Sequence, residues 1–452
     1  MKIILTVHQF LPDYISGTEI LTYETAKELK RQGHTVSVMT GFPSRGNLDD
    51  ADRFDHYVYD GIPVERFHHS YVPMGTQTNV QEMEYNNAFL GAFFRRYLLR
   101  ENPDVVHFFH LFRLSAAVVD ICYELGIKMV FTPTDFWSIC PVYQLRLPNN
   151  KMCSGPNELG TNCIRHKVEL IQYPVLRTIV RLMPNPLIKM LTLLPNNIPF
   201  INKYSQMLKA LTNRKKFLIS KINLIDQVIV PTQIMKSILS ENGLNPHRTK
   251  LIPFGLNLSY IKHLPRPNPE SILRLGYIGT VNEPKGLHIL LKAIRLLIEE
   301  PLELKIYGNL EEFPEYVDSL YAIIEDDPRV KFCGTFPNNE IGIILSDLDV
   351  LVVPSLWHEN SPLVVYSAQA AACPIIASNV AGISQFVTHE KNGFLFEPGD
   401  VKGLVEIIRI LLGDRTLLQK LSNNSPRPLS IEEYVLKLID IYHNLVHDVA
   451  SV

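Results

Sequence analysis

The sequence predicts an α/β fold with two Rossmann-like domains. The chain has 452 residues, a length that favours two or three domains at roughly 100–200 residues each. Short β-rich runs alternate with helical stretches in both halves, and a proline-rich break at 264–269 separates them. With 46% hydrophobic and 20% charged residues, the composition excludes a disordered, collagenous or disulfide-stapled chain. The net charge of −2 argues against a dedicated nucleic-acid binder.

The first half begins with a buried strand over 2–7, which ends at His8. Its apolar run is too short for a signal peptide and is typical of a first strand. A helix over 18–32 follows, and Gly33 closes it before the next strand. Further strands are predicted at 35–40, 105–109, 128–132, 227–230 and 250–252. This alternation indicates a parallel sheet covered on both faces.

The second half repeats the alternation of strands and helices. A helix is predicted over 286–298 and a last helix over 431–446, with strands at 274–278, 303–307, 330–332, 350–353 and 374–377. We therefore divide the chain into an N-terminal domain, 1–263, a C-terminal domain, 270–425, and a final helical segment, 430–452, that packs back on the N-terminal domain. The carboxyl ends of both sheets are expected to face a common cleft.

One segment, 165–221, is strongly basic. It holds eleven Lys and Arg against one acid, Glu169, so its charge is +10 and the rest of the chain carries −12. Basic and apolar residues at helical spacing are typical of helices on an anionic membrane surface. The alternative is a set of solvated helices whose apolar faces complete a core. We expect an insertion of basic helices in the N-terminal domain that contacts such a membrane.

The predicted location is the cytoplasm, with peripheral contact to the cytoplasmic membrane face. The sequence contains no run of about 18 uncharged apolar residues, the length that a membrane-spanning helix needs. Six cysteines in a chain of this length fit a reducing compartment.

The stretch 349–363 joins a buried strand to a helix and carries polar residues between them. Ser361 is expected as the N-cap and Pro362 as the first helical residue. Free amides at such a helix start suit a phosphate or sugar oxygen. Glu359, in the preceding turn, can accept hydrogen bonds from two neighbouring sugar hydroxyls. The alternative is an ordinary turn with an exposed acid.

A second turn, 279–286, also follows a strand and opens a helix. Lys285 would place a positive charge where such turns bind a pyrophosphate. Glycines and a lysine in one turn are weak evidence alone. Their predicted position at the same sheet edge as Glu359 strengthens the interpretation.

These segments resemble retaining glycosyltransferases of family four, which have the GT-B fold. The resemblance covers nearly the whole chain and includes a subgroup feature, a cysteine-bearing loop on the acceptor side. It rests on short motifs in both halves: Ser16-Gly17-Thr18-Glu19, Gln32-Gly33-His34-Thr35-Val36, Pro103-Asp104-Val105-Val106-His107, Ile252-Pro253-Phe254-Gly255, Lys285-Gly286, Ile306-Tyr307-Gly308, Val353-Pro354-Ser355, Trp357-His358-Glu359-Asn360-Ser361-Pro362-Leu363 and Asn392-Gly393-Phe394-Leu395-Phe396-Glu397-Pro398-Gly399-Asp400.

The resemblance implies retaining transfer of a sugar from a nucleotide sugar to a saccharide or lipid-linked acceptor, in cell-surface polysaccharide or lipopolysaccharide biosynthesis. Lys285 would neutralise the diphosphate, Glu359 would hold hydroxyls of the donor sugar, and His110 would point at the reacting sugar. A histidine that only packs is the alternative for His110. The nucleotide sugar is a co-substrate, and neither a cofactor nor a metal is expected.

The resemblance also assigns binding residues, and three of its positions depart from the family. The acceptor-side residues are Asp135 and Trp137. The donor-binding residues are Gly17, Gly279, Thr280, Lys285, Glu359, Asn360, Ser361, Leu363 and Ser367. Ser367 stands where the family has a glutamate for the ribose hydroxyls, Thr280 where it often has arginine, and Gln385 where it has an acid. A serine makes one neutral contact, so weaker donor binding is expected.

Cys140, Cys153, Cys163 and His166 form another candidate site. Three thiols and an imidazole could hold a structural zinc ion. The long spacings between the first three argue against zinc and leave free or redox-active thiols as the alternative. We expect the loop 136–166 to shape the acceptor pocket.

Two rival functions remain. A catalytically degenerate GT-B protein could use its cleft as a scaffold, and Ser367 is the best argument for it. A nucleotide-sugar epimerase on the same two-domain fold is a weaker rival, since the motifs follow the transferases.

Overall fold

The computed structural model describes residues 1–44, 48–147, 151–169, 174–191, 199–261 and 272–447, without the side chains of 169, 174–177, 189, 191 and 199–204. The predicted linker at 264–269 lies outside these ranges. The chain divides into two compact units. The first comprises Met1–Ile252 together with the C-terminal helix from Tyr434, and the second comprises Pro253–Glu433.

The first unit is built on one sheet, with eight strands in the described ranges, in the order β3-β4-β2-β1-β5-β6-β7-β8. Neighbouring strands are parallel, apart from β3, which runs antiparallel to β4. The strands are β1 (Lys2–Val7), β2 (Thr35–Pro43), β3 (Phe54–Tyr59), β4 (Ile62–His69), β5 (Val105–Phe108), β6 (Lys128–Phe131), β7 (Gln227–Val230) and β8 (Thr249–Leu251). The central strand β1 is buried from Ile3 to Val7, as expected for a parallel sheet covered on both faces.

Helices connect these strands. They are α1 (Gly17–Arg31), α2 (Val80–Met83), α3 (Ala88–Glu101), α4 (Ala117–Glu124), α5 (Thr161–Glu169), α6 (Pro174–Leu182), α7 (Asn185–Leu191), α8 (Pro199–Ile222) and α9 (Gln233–Glu241). The predicted basic helices correspond to α5 to α8. None of the helices in the described ranges is long and apolar enough to cross a membrane.

The second unit has a fully parallel sheet among its described strands, in the order β11-β10-β9-β12-β13-β14. The strands are β9 (Leu273–Ile278), β10 (Leu302–Tyr307), β11 (Val330–Gly334), β12 (Val350–Val353), β13 (Ile375–Ser378) and β14 (Gly393–Phe396). The helices are α10 (Leu287–Arg295), α11 (Pro314–Ile324), α12 (Ile341–Ser346), α13 (Leu363–Ala370), α14 (Val401–Gly413) and α15 (Thr416–Asn423).

The final helix, α16 (Ile431–His447), brings a buried tyrosine to the sheet of the first unit. The hydroxyl of Tyr442 lies 2.5 Å from Nδ1 of His107 on β5. Nε2 of the same imidazole lies 2.7 Å from Oγ1 of Thr132. Both ring nitrogens of a histidine with no exposed surface therefore have partners, as a buried polar group requires.

The structure confirms the predicted fold class of Rossmann-like α/β units, but the sequence analysis missed three strands. The β3–β4 hairpin turns at Asp60-Gly61, whose φ angles of 48° and 70° are both positive. Asp-Gly at such a turn is a strong hairpin signal, so this pair could have been found. β14 has only four residues and lies inside 392–400, which the sequence analysis used only as a motif of the resembled family.

Each sheet has a point where the strand order reverses. In the first unit the chain moves outward in opposite directions from β1 and β5, and in the second unit from β9 and β12. In open parallel sheets, ligands bind beyond the carboxyl ends of the strands at such a switch point. The loops after these four strands are therefore the places to search for a site.

Candidate active site

In the second unit, three donors converge on one carboxylate oxygen at the switch point. Oε1 of Glu359 accepts hydrogen bonds from Lys285 Nζ at 2.7 Å, Ser355 Oγ at 2.7 Å and Trp357 Nε1 at 2.8 Å. The Glu359 side chain is buried, whereas that of Lys285 is about a quarter exposed. The ammonium group also lies 5.3 Å from the centre of the Trp357 ring. Glu359 is therefore held in one position beside a charged group that solvent can reach.

Lys285 reaches Glu359 because two turns approach each other closely. Lys285 ends a short 3₁₀ turn, Glu283–Lys285, whose N-cap Asn282 accepts the Lys285 amide proton. Gly286 then adopts φ +72°, and a Cβ atom at this position would lie 2.0 Å from the carbonyl oxygen of Pro354. Only glycine combines this backbone angle with this approach. The turn after β9 is thus packed against the turn after β12.

A second glycine supports the other side of Glu359. Gly382 has φ +92°, and a Cβ atom there would lie 1.5 Å from the carbonyl oxygen of Glu359. The backbone of Glu359 is therefore in contact with the turn after β13. Turns after three neighbouring strands fix this residue.

The predicted helix start after Glu359 was wrong by one residue. Helix α13 begins at Leu363, and its N-cap is Pro362, with φ −69° and ψ 116°. This extended backbone places Ser361 outside the helix, so its side chain does not cap it. The Ser361 hydroxyl instead lies 2.5 Å from the hydroxyl of Tyr366.

The other predicted donor residues, apart from Gly17, belong to the second unit. Ser367 is buried on α13 and donates a hydrogen bond to the carbonyl oxygen of Leu363 at 3.0 Å. The carbonyl oxygen of Thr280 accepts a hydrogen bond from the Tyr277 hydroxyl at 2.8 Å. Gly279 donates its amide proton to the next strand, and Asn360 is buried beside Glu359. Gly17, by contrast, is the first residue of α1 in the other unit.

In the first unit, His110 follows β5 and has a defined tautomer. The Phe112 amide donates a hydrogen bond to Nδ1 of His110 at 2.9 Å, so Nδ1 is an acceptor. Nε2 then carries the proton of the neutral ring and donates to Oδ2 of Asp135 at 3.0 Å. Asp135 follows β6, and its Oδ1 accepts the Trp137 amide proton at 2.7 Å. The predicted His110 and Asp135 therefore form one hydrogen-bonded pair.

Trp137 supports this pair from the core. Its side chain is buried, and its indole nitrogen donates to Oε1 of Glu84 at 3.3 Å. The guanidinium of Arg214 lies 4.8 Å from the centre of the indole ring. The ring is covered, so Trp137 positions the loop that carries Asp135.

Two residues that the sequence analysis did not select, His8 and Glu19, complete the switch point of the first unit. His8 follows β1 directly, and its ring centre lies 4.4 Å from that of His110. Nε2 of His8 is 3.4 Å from Oε1 of Glu19. His8 is the first polar residue after a buried strand, at the same sheet edge as His110, and this position was a signal for it.

Burial shifts the pKa of both residues. Burial, with smaller electrostatic contributions from His110 and Arg113, holds the pKa of His8 well below its usual value, so the ring is neutral near pH 7. Burial also raises the pKa of Glu19. The Glu19 carboxylate accepts the Ser16 amide proton at 3.0 Å, in a capping box at the start of α1. Glu19 thereby fixes the loop that contains Gly17, one of the predicted donor-binding residues.

Cys140, Cys153, Cys163 and His166 line one small pocket in the first unit. Within the part of the chain that the structure describes, no group of three or more His, Cys, Asp or Glu could hold a metal ion. Burial raises the pKa of Cys140 and raises that of Cys163 to about 12. These two thiols are protonated near neutral pH, which disfavours redox reactivity.

Glycosyltransferase family models match a part of each unit. A family model described as Glycosyltransferase Family 4 matches residues 15–154. A model described as Glycosyl transferases group 1 matches residues 273–414. The capsular polysaccharide biosynthesis glycosyltransferase CapM of Staphylococcus aureus is 28% identical over 193 residues, which are 41% of this chain and 47% of CapM. The chain spans about half the length of the curated relatives it matches.

Solved structures define the fold. The sucrose-phosphate synthase of Thermosynechococcus elongatus matches with a TM-score of 0.65 at 18% identity, over 100% of both chains. Anabaena HepE, solved in complex with UDP and glucose, matches with a TM-score of 0.61 at 16% identity, also over 100% of both chains. The fold is GT-B. The family models and the relatives indicate that this chain is similar to glycosyltransferases of family four.

Proposed function

We propose that this protein is a retaining glycosyltransferase that moves a sugar from a nucleotide-sugar donor to a saccharide or lipid-linked acceptor. The second unit binds the donor and the first unit binds the acceptor. The observation that carries the proposal is the contact between Lys285 and Glu359 at the switch point of the second sheet. The contact supports the proposal because an ammonium group lies beside a carboxylate. A nucleotide sugar needs a cation for its diphosphate and a hydrogen-bond acceptor for its sugar hydroxyls.

Lys285 acts on the leaving group. Its ammonium group is partly exposed, so a diphosphate oxygen can compete with Glu359 for it. A positive charge at this place stabilises the negative charge that develops on the diphosphate as the glycosidic bond breaks. Glu359 stays fixed by Ser355 and Trp357, and its Oε2, which takes none of the three hydrogen bonds at Oε1, accepts the sugar hydroxyls.

The first unit supplies His110, whose Nε2–H group is directed by Asp135. In the neutral tautomer this group is a hydrogen-bond donor, and it can donate to a hydroxyl of the reacting sugar in exchange for Asp135. Asp135 is about a quarter exposed at its side chain and can also accept a hydrogen bond from the acceptor. These roles make His110 and Asp135 positioning groups for the reaction.

The reaction proceeds by attack on the face that the diphosphate leaves. The bond between the anomeric carbon and the diphosphate oxygen breaks, and the acceptor oxygen forms its bond on the same side. The acceptor proton passes to the departing diphosphate oxygen. This route retains the anomeric configuration, needs no protein nucleophile, and uses neither a cofactor nor a metal. Catalysis then depends on positioning and on charge stabilisation at the phosphate.

The biological role that we propose is the synthesis of cell-surface polysaccharide or lipopolysaccharide. CapM, to which this chain is similar in sequence, is named for capsular polysaccharide biosynthesis. HepE was solved with UDP and glucose, which supports a nucleotide sugar as the donor.

The test is a proton NMR assay with a panel of nucleotide sugars and saccharide or lipid-linked acceptors. We expect a new glycoside whose anomeric configuration equals that of the donor, and much less product with Glu359→Gln. An inverted product would contradict the mechanism. An isomerised nucleotide sugar formed without acceptor would support the epimerase instead.

A catalytically silent scaffold is the second candidate, and one observation favours it. The Ser367 hydroxyl is used by the backbone of its own helix, which leaves it poorly placed to replace a glutamate at the ribose. The scaffold predicts nucleotide-sugar binding that is weak and no product with any acceptor.

A further inference from the structure

Helices α6 and α7 expose large apolar side chains that lie close together in sequence. Leu182 is 78% exposed and Met190 is 61% exposed, with Ile179 and Leu187 also among the exposed large hydrophobic residues. Ile179 and Leu182 are three residues apart on α6, and Leu187 and Met190 are three apart on α7. Residues at this spacing share one helix face. Each of the two short helices therefore presents an apolar face outward.

The opposite faces of the same helices are occupied. Val180 and Ile188 are buried in a small core with Ile164 and Val168 of α5, and Leu208 and Leu211 of α8 pack against it. α6 and α7 are thus anchored to their neighbours by their inner faces. The exposed apolar side chains therefore lie outside a small core that is already formed.

The structure also separates the basic residues of this segment into two groups. The first group is used inside the unit. Arg214 is buried against Trp137 and Glu84, Lys221 pairs with Asp120 at 2.7 Å, and Arg165 donates to the carbonyl oxygen of Met183 at 2.7 Å. These contacts belong to α5 and α8. The count of basic residues in 165–221 therefore overstates the charge available for a partner.

The second group lies on the helices with the apolar faces. Arg181 is exposed on α6, and the sequence adds Arg177 to α6 and Lys189 to α7. From 170 to 221 the sequence contains no Asp or Glu. An apolar face accompanied by basic residues and no acids matches the interfacial region of an anionic bilayer, where apolar side chains enter the acyl boundary and cations meet the headgroups.

We propose that α6 and α7 form a membrane-docking surface that binds anionic lipid bilayers through Ile179, Leu182, Leu187 and Met190. This surface goes beyond the proposed function, because binding a bilayer requires neither donor nor acceptor. It would bring the protein to the place where a lipid-linked acceptor resides. Failure of vesicle binding would leave the sugar transfer untouched, and failure of sugar transfer would leave vesicle binding untouched.

The first test is sedimentation of the full chain with vesicles of phosphatidylcholine, with or without an equal part of phosphatidylglycerol. We expect binding to the anionic vesicles, weaker binding to phosphatidylcholine alone, and a decline with added salt. Leu182→Glu combined with Met190→Glu should lower the partition coefficient at least roughly tenfold, because two apolar contacts are lost. Leu296→Glu combined with Ile343→Glu is the matched control, since these residues are exposed apolar residues of the second unit, and it should bind like the parent.

A second test places a probe in the surface. The chain has only two tryptophans, so Leu182→Trp adds a third at the proposed contact. Brominated lipid in anionic vesicles should quench this added emission well beyond the quenching of the parent protein. The absence of added quenching, equal binding by the double glutamate variant, or no vesicle binding by the parent would overturn the proposal. Concentration-dependent dimers that the same glutamates abolish, without vesicle binding, would assign the surface to a second copy of the chain instead.

Discussion

The Nζ atom of Lys285 lies 2.7 Å from Oε1 of Glu359, although the two residues are 74 positions apart. The contact joins the turn after β9 to the turn after β12, the two strands at which the sheet order reverses. In this state the Glu359 carboxylate is paired with the ammonium group of Lys285, the group that we assign to the diphosphate. Donor binding would exchange this partner for a phosphate oxygen, so recognition of the phosphate and of the sugar is coupled through one pair.

The charge of Glu359 should matter more than its shape. Glu359→Gln preserves the volume but removes the charge, and a hydrogen bond to a charged group contributes about 1.5–3 kcal/mol. We expect the dissociation constant of the donor to rise roughly tenfold to hundredfold, measured by isothermal titration calorimetry. Glu406→Gln, at an exposed position of the same unit, should bind the donor like the parent. Equal affinity of parent and Glu359→Gln would remove Glu359 from the site.

The close approach at Gly286 should be essential for the site, and the chain offers a matched control. Gly286 and Gly334 both have φ +72°, but a Cβ atom would meet Pro354 at Gly286 and nothing within 4 Å at Gly334. Gly334→Ala should cost about 1–2 kcal/mol of unfolding free energy from backbone strain alone. Gly286→Ala should cost clearly more in urea unfolding and should abolish donor binding, because the turn must move. Equal costs for the two variants would contradict the close packing of the two turns.

Substitution of Ser367 separates an adapted enzyme from a degenerate scaffold. Ser367 is buried and bonded to Leu363, so Ser367→Glu inserts a carboxylate into a site built around a hydroxyl. In an enzyme adapted to serine we expect transferase activity to fall, measured as kcat/KM. In a degenerate site the restored carboxylate would instead strengthen nucleotide-sugar binding, and this result would favour the scaffold. Ser367→Ala, which removes only the hydroxyl, should have a small effect on both measurements.

The buried His107 should make stability depend on pH. Burial lowers its pKa to about 3, whereas an unfolded histidine has a pKa of about 6.5. Below pH 6.5 the unfolded chain binds a proton that the folded chain does not, so the unfolding free energy falls as the pH falls, by about 1.4 kcal/mol per unit from this group. This loss continues down to about pH 3.

The measurement is urea unfolding between pH 7 and pH 5. His107→Gln should flatten the pH dependence, whatever its effect on stability at pH 7. Asn444→Ala, on the exposed side of α16, removes no titratable group and is the control, and it should leave the slope unchanged. A slope that is the same in His107→Gln as in the parent would show that His107 is not the responsible group.

The sequence analysis selected Lys285 and Glu359 because their signals are local. Glu359 and Lys285 each lie in a turn between a strand and a helix, and both turns belong to motifs of the resembled family. Their direct contact was not predictable, because it depends on which strands are neighbours in the sheet. The pairing of His110 with Asp135 was out of reach for the same reason.

Other features of the site were missed or wrong because they depend on backbone angles and on burial. Serine is a favoured N-cap residue, which is why Ser361 was predicted as the cap. Pro362 instead has an extended backbone, and the helix begins one residue later than predicted. His8 and Glu19 gain their importance from burial next to His110. The charge count of 165–221 could not reveal that Arg214 and Lys221 are used within the first unit.

The central claim is that the Lys285–Glu359 site binds a nucleotide sugar, and a thermal-shift panel tests it most directly. The panel holds UDP, GDP, ADP and CDP sugars against the parent protein, Lys285→Ala and Lys402→Ala, the last at an exposed lysine of the same unit. A ligand at about a hundred times its dissociation constant adds roughly 2.7 kcal/mol of stability. We predict a shift with one nucleotide that Lys402→Ala keeps and Lys285→Ala loses. No shift with any of the sugars, or a shift that survives in Lys285→Ala, would contradict the account.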